Sequence, residues 1–210
     1  MKDFSVAMAL VDYIPVLFFG YAAASLQRDL YHKMSKGAFA LFASGTINVF
    51  AAGALKATYK LLYAANICDF EPLNSMFFPV QSIGFLLAGG GMIWMFVHRP
   101  DKKVTLLSAV PVLWKGTFIF VGLMVAGLAG MDAALCYFAV KLKKPAITLL
   151  FVLSFVCSLG MGYLSSKDFA QASMNWIAEG VNVVGQGTLL LGALMLHKAG
   201  LEEYHLPERK

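Results

Sequence analysis

Charge is what this sequence has least of. Of its 210 residues only 14% are Asp, Glu, Lys or Arg, against about a quarter in a soluble domain, so an ordinary water-facing globule is excluded. Histidine is scarce as well. His32, His98, His197 and His205 show no HxxxH or HExxH spacing, which excludes the motif-bearing zinc hydrolases and leaves no expected metal ligand or cofactor. Cys68, Cys136 and Cys157 form neither an even framework nor a CxxC pair, so no disulfide scaffold is expected. There is no N-x-S/T sequon, and no polar stretch is long enough for a separate soluble domain. The short alternating segments of a membrane barrel are also missing. A net charge of +5 by itself points to neither nucleic acid nor acidic substrates.

What remains is apolar. The chain is 59% hydrophobic with a mean hydropathy of +0.69, and its apolar runs recur from end to end. This pattern implies an all-α integral membrane protein whose solvent partner is the lipid bilayer, built as a single transmembrane domain over residues 1–210. Helices are expected at about 4–26, 38–63, 75–97, 105–127, 128–142, 145–164 and 174–197, with a short tail at 198–210. The long stretch from Thr105 to Leu164 divides at two signals. These are a turn at Gly127-Leu128-Ala129-Gly130 and a break at Lys143-Lys144-Pro145.

Charge then sets the topology. With seven crossings and the N-terminus outside, one side collects Arg28, Lys33, Lys36, Arg99, Lys102, Lys103, Lys141, Lys143, Lys144, Lys198, Arg209 and Lys210. Only Lys2 and Lys167 fall on the other. The positive-inside rule therefore predicts an outside N-terminus and a cytoplasmic C-terminus, and a bacterial cytoplasmic membrane is the expected location. The halves also align weakly. Ser75-Met76-Phe77-Phe78, Gln81 and Gly89 match Ser173-Met174-Asn175-Trp176, Glu179 and Gly187 at one offset, and Asp12…Phe18 matches Asp132…Phe138. This suggests a 3+1+3 plan of parallel repeats, a plan used by some transporters. Pro79-Val80-Gln81 is not the adjacent Pro-Gln pair of PQ-loop proteins, and the last helix has lysine only at its end, Lys198, unlike retinal proteins. No family's residues are carried over.

The last helix holds the strongest functional signal. Asn175, Glu179, Asn182 and Gln186 fall within roughly 60° of one another, a polar stripe on an apolar segment. A carboxylate at membrane depth needs a partner or a wet cavity. Counting along the helices, Glu179 lies about 7 Å from the outer end, Gln81 about 9 Å, Lys56 about 10 Å and Asp12 about 12 Å, with Lys115 about 18 Å deep. Asn48, Lys56 and Tyr59 share one face of the second helix. Lys60 sits near enough to the interface to snorkel and carries less information. The expected pairs are Glu179 with Lys56, and Asp12 with Lys56 or Lys115.

A substrate-binding set of Glu179, Lys56, Asp12, Lys115, Asn182, Gln186, Gln81, Asn48 and Tyr59 follows. It fits a small transporter or channel for a small polar solute, anionic or zwitterionic. One alternative is a seven-helix sensor signalling through a partner. Another is an intramembrane lipid-modifying enzyme using Asp12, Asp132 or Glu179 as acid and base. No histidine is placed to activate a nucleophile, and assembly as a homo-oligomer is compatible with the sequence.

Overall fold

A backbone in lipid must satisfy its own N–H and C=O groups, so long apolar runs are driven into helices. The computed structural model describes residues 5–97, 117–164 and 172–206, and the described residues contain helices and no strand. The helices are α1 (Val6–Val11), α2 (Tyr13–Leu30), α3 (Lys36–Ala64), α4 (Pro72–Ser75), α5 (Phe77–Val97), α6 (Thr117–Lys141), α7 (Pro145–Leu164) and α8 (Ala172–Lys198). Serines start two of them. Ser5 Oγ accepts from the Met8 N–H at 3.1 Å, and Ser35 Oγ from the Ala38 N–H at 3.2 Å, each satisfying a first-turn donor.

Two short helices are prolongations of long ones, interrupted for the same reason. Pro15 lacks an N–H and crowds the carbonyl four residues back, so the helix breaks at Asp12 between α1 and α2. Pro79 does the same at Met76, between α4 and α5. Joined across these breaks, six helical spans among the described residues are long and apolar enough to cross a membrane: Val6–Leu30, Lys36–Ala64, Pro72–Val97, Ile119–Lys141, Pro145–Leu164 and Ser173–Lys198.

The expected turn at Gly127 to Gly130 is not there. One helix, α6, runs unbroken from Thr117 to Lys141, so the expected helix 128–142 is the latter part of α6. The expected helix 105–127 contributes only its last residues to α6, and the rest lies outside the described residues. The glycines serve packing instead of turning. A Cβ on Gly127 would collide with the backbone of Phe85 and Leu86, and one on Gly89 with the backbone of Gly127. Small residues that let helix backbones touch are the usual adhesive between helices in lipid, where burial of apolar surface gives little drive.

Contacts along each seam fix the helix directions. Gly20 meets Phe50 and Gly53 meets Val16, so α2 and α3 are antiparallel. Gly45 meets Gly84 and Ala88, while Gly91 meets Ala38 and Phe42, so α3 and α5 are antiparallel too. By contrast α5 and α6 run parallel: Gly127 lies at Phe85, Gly130 at Ile93, and the Tyr137 ring packs on Phe96 with centroids 4.9 Å apart. Gly185 against Cys157 and Gly192 against Phe151 make α7 and α8 antiparallel. Finally α2 and α8 are parallel, with Asp29 and His197 in contact at one end and Gly187 beside Phe18 farther up. The neighbours thus close a ring in the order α2, α3, α5, α6, α7, α8.

One end of this ring gathers Arg28, Lys33, Lys36, Lys141, Lys143, Lys144 and Lys198. The other carries the loop with Asp69 and Glu71. Phe19, Leu26, Phe42, Phe85, Met92, Met131, Phe138 and Leu196 fill the interior between them. Phe18 of α2 packs beside Gly187 of α8, and its sequence match, Phe138 of α6, packs against Phe96 of α5, with centroids 5.6 Å apart.

Backbone contact at the glycines makes a sharp prediction. Gly45→Val and Gly127→Val lower the thermal unfolding temperature in detergent, at a cost of about 1–3 kcal/mol or more from overpacking. Gly90→Ala and Gly122→Ala, where an added Cβ has nothing within 4 Å, leave it unchanged or slightly raised.

Candidate functional site

At the end of the ring that bears the acidic loop, three spans bring charges together. Asp12 comes from the proline-induced break between α1 and α2, Lys60 from the last turns of α3, and Glu179 from the second turn of α8. The Lys60 Nζ is 2.5 Å from Asp12 Oδ2 and 3.3 Å from Glu179 Oε1. Asp12, Lys60 and Glu179 are only 7%, 8% and 6% exposed. Ion pairs at this burial gain from low dielectric what they lose in desolvation only when partners are close and aligned, as they are here.

The pairing is a correction to the sequence-based expectation, which paired Glu179 with Lys56 and Asp12 with Lys56 or Lys115, the last of which lies outside the described residues. Lys56 and Lys60 are one helical turn apart and share a face, and the nearer turn holds the ammonium that reaches the acids. Lys60 is buried, and the loop beside it is tied down: Tyr59 Oη lies 3.0 Å from Asp69 Oδ1 and 2.9 Å from Glu71 Oε2. One phenolic proton is thereby shared between two carboxylates over the end of α3. Lys56 remains within electrostatic range of Lys60, Asp12 and Glu179. Its Nζ sits 3.9 Å from the centre of the Phe77 ring, a cation–π contact.

The other expected residues divide. On α8, Asn175 is buried and Asn182 and Gln186 are half-buried, whereas Trp176, Ile177, Val184 and Leu191 are exposed. The polar stripe therefore faces into the bundle, as its spacing predicts. Gln186 Oε1 is buried with no hydrogen-bond partner among the described residues, as is Glu179 Oε2. Asn48 and Gln81 are half-buried on α3 and α5 and do not join the ion pairs. Lys115 lies outside the described residues. Tyr13, not singled out from the sequence, links α2 to α3 through its hydroxyl, 2.8 Å from Thr58 Oγ1.

Two more buried acids lie elsewhere. Asp132 is 4% exposed on α6, and neither carboxylate oxygen has a hydrogen-bond partner among the described residues. It stands apart from the ionic group, because α6 packs chiefly between α5 and α7. Asp29, at the basic end, receives His197 Nδ1 at 3.0 and 3.1 Å on its two oxygens. Beside it, burial lowers the Lys33 ammonium below its ordinary range, while the charges of Glu202 and Asp29 pull it back up. Surface clefts among the described residues include one lined by Val140, Lys143, Lys144, Pro145, Thr148 and Leu149 and one by His197, Lys198, Ala199, Gly200, Glu202 and Glu203. Neither opens onto Lys60. Compared with protein-family models, curated proteins and solved structures, the chain finds no match in any of the three.

The arrangement predicts an asymmetric response to neutralising either lysine. Lys60→Met strands two buried carboxylates and costs about 3–5 kcal/mol of stability. Lys56→Met loses a cation–π contact of about 0.5–2 kcal/mol. Combining Lys60→Met with Asp12→Asn and Glu179→Gln restores most of the loss, which thermal unfolding of the four proteins in detergent measures directly.

Proposed function

We propose that this chain is a small membrane transporter or channel for a small polar solute, with its binding site centred on Lys60, Glu179, Asp12 and Lys56. The observation that carries the reading is the buried bridge of Lys60 to two acids from two different spans. Gluing helices together needs at most one such pair, and polar side chains do that work at about 0.6–2 kcal/mol. Here an ammonium, two carboxylates, a second lysine and the α8 amides Asn182 and Gln186 share one inward region. An incoming anionic group competes with Glu179 for Lys60, and the released carboxylate must then be met by a cationic group or a proton. The acidic loop above the site, Asp69 and Glu71, repels a pure anion. A zwitterion is thus the better match within the anionic or zwitterionic class.

Topology follows the same reading. The chain crosses the membrane seven times, with the acidic-loop end outside and the basic end cytoplasmic, in a 3+1+3 plan. Two observations support it: the Lys/Arg gathered at one end, and the parallel run of α5 and α6, successive among the described helices, which requires the chain between them to return from one end to the other. Alternating access then comes from one three-helix unit moving on the other. Acid–base catalysis on a lipid is the competing reading, because Asp12 and Glu179 converge on one point, the geometric requirement of such chemistry.

Flux into proteoliposomes separates these readings. With a panel of labelled zwitterionic and anionic solutes, the wild type accumulates at least one, and Glu179→Gln cuts the rate at least tenfold while folded yield holds. Unaltered uptake in Glu179→Gln sinks the assignment of the site. Ligand binding without flux supports a sensor, and lipid turnover in detergent an enzyme. Reporter fusions at the two termini, active on opposite sides of the membrane with the C-terminal one cytoplasmic, test the topology.

A further inference from the structure

The basic end of the α2–α8 seam holds a second convergent cluster, unrelated to the ionic site at the other end. Asp29 lies in the last turn of α2 with a side chain that is 0% exposed, and His197 in the last turn of α8 with a side chain that is 35% exposed. Beyond α8 the chain reverses at Gly200, whose φ of 90° is readily adopted only by glycine. Leu201, fully buried, anchors the reversal. Lys33 Nζ then donates to the Glu202 carbonyl at 2.6 Å, which fixes the Glu202 backbone beside His197 and leaves its carboxylate to point elsewhere. Ligand atoms of Asp29, His197 and Glu202 all lie within 4.8 Å of one another.

We infer that Asp29, His197 and Glu202 form a binding site for a first-row divalent metal ion, with zinc as its best-suited occupant, clipping the basic ends of α2 and α8 to the segment that follows. The donor set is one imidazole and two carboxylates, nitrogen and oxygen ligands of the kind zinc accepts, with room for water in the fourth position. The spacing agrees. Ligands about 2.0–2.2 Å from a metal, at angles between octahedral and tetrahedral, are about 3.0–3.5 Å apart, and the Asp29 oxygens are 3.0 and 3.1 Å from His197 Nδ1. The wider separations involve Glu202, whose exposed side chain is free to swing inward. The surface cleft beside the cluster, about 570 Å³ and lined by His197, Glu202 and Glu203 among others, gives the ion an entry path and its water a place. Two cations compete for the same acids: Lys33, whose charge acts on both Glu202 and Asp29, and Arg28, whose Nε is 3.2 Å from Asp29 Oδ1 but whose side chain is 59% exposed and can withdraw into water. A simple His–Asp clamp would need neither Glu202 nor a cleft in front of it.

The test uses the full chain in detergent, stripped of metal and titrated with Zn2+ by calorimetry, with metal content measured after dialysis. One Zn2+ per chain is expected, with a Kd weakened at least about tenfold in His197→Ala and in Glu202→Gln and unchanged in His205→Ala, an exposed histidine outside the cluster. Glu202→Gln decides the matter if His197→Ala purifies poorly, because the Glu202 side chain is exposed and its loss does not disturb the core. Absence of stoichiometric Zn2+, binding that survives both variants, or equal loss in His205→Ala overturns the site. None of these readouts involves flux, so failure here leaves the transport reading standing, and the reverse holds.

Discussion

A buried ammonium cannot be left alone in a low-dielectric interior, and this constraint organises the acidic-loop end of the bundle. Lys60 projects from α3, and its two carboxylate partners come from the α1–α2 break and from α8. Helices α3 and α8 are not ring neighbours; each packs on α2. The lysine therefore bridges the α2–α3 seam to Asp12 and reaches across the interior of the ring to Glu179. That reach is possible because the side chain is long and flexible, with a compact charge at its tip. Pro15 interrupts the backbone ladder beside the aspartate, turning a point of weakness into the place where a carboxylate meets the cation.

The rest of the ring is held by a different physics. Along α3, α5 and α6, glycines bring backbones into direct contact at Gly45, Gly84, Gly89, Gly91 and Gly127. Dispersion at such short range is worth little per atom pair but accumulates over a long seam. The α3–α5 and α5–α6 glycine seams carry no buried ion pair among the described residues, and the α2–α8 seam has charged contacts near both of its ends. The two ways of joining helices meet between α2 and α3, where Gly20 and Gly53 pack closely and Lys60 pairs with Asp12.

Much of this was legible in the sequence. Apolar length placed the long helices, the i, i+3, i+4, i+7 spacing of Asn175, Glu179, Asn182 and Gln186 gave the inward face of α8, and the Lys/Arg distribution anticipated which loops share an end. The errors have specific causes. Gly127 and Gly130 read as a turn because glycine permits turns and close packing alike, and a single sequence cannot say which is in use. Lys60 was discounted because depth counted along one helix ignores what packs beside it; the loop held beside it by Tyr59 depends on contacts some ten residues away. The pairing of Asp29 with His197 joins residues 168 apart, and helix-by-helix periodicity is silent about which helices become neighbours.

The contrast between seams bears on how a transporter of this design would move. If two three-helix units rock, the interfaces between them are α2 with α8 and α5 with α6. Separating α5 from α6 means breaking backbone contact at Gly89 and Gly127, which no solute or proton can replace. Separating α2 from α8 means exchanging ionic partners at Asp12, Lys60 and Glu179 on one side and at Asp29 and His197 on the other, and both sets can be satisfied by a ligand, a proton or water. Under the transport proposal, the pivot would lie at α5–α6 and the opening at α2–α8. Between the two clamps the inward face of α8 presents Asn182 and Gln186, and α2 presents Ser25. The Gln186 carbonyl and the Ser25 hydroxyl are buried with no hydrogen-bond partner among the described residues. Under the transport proposal, these buried polar groups are the ones a polar solute would meet between the clamps.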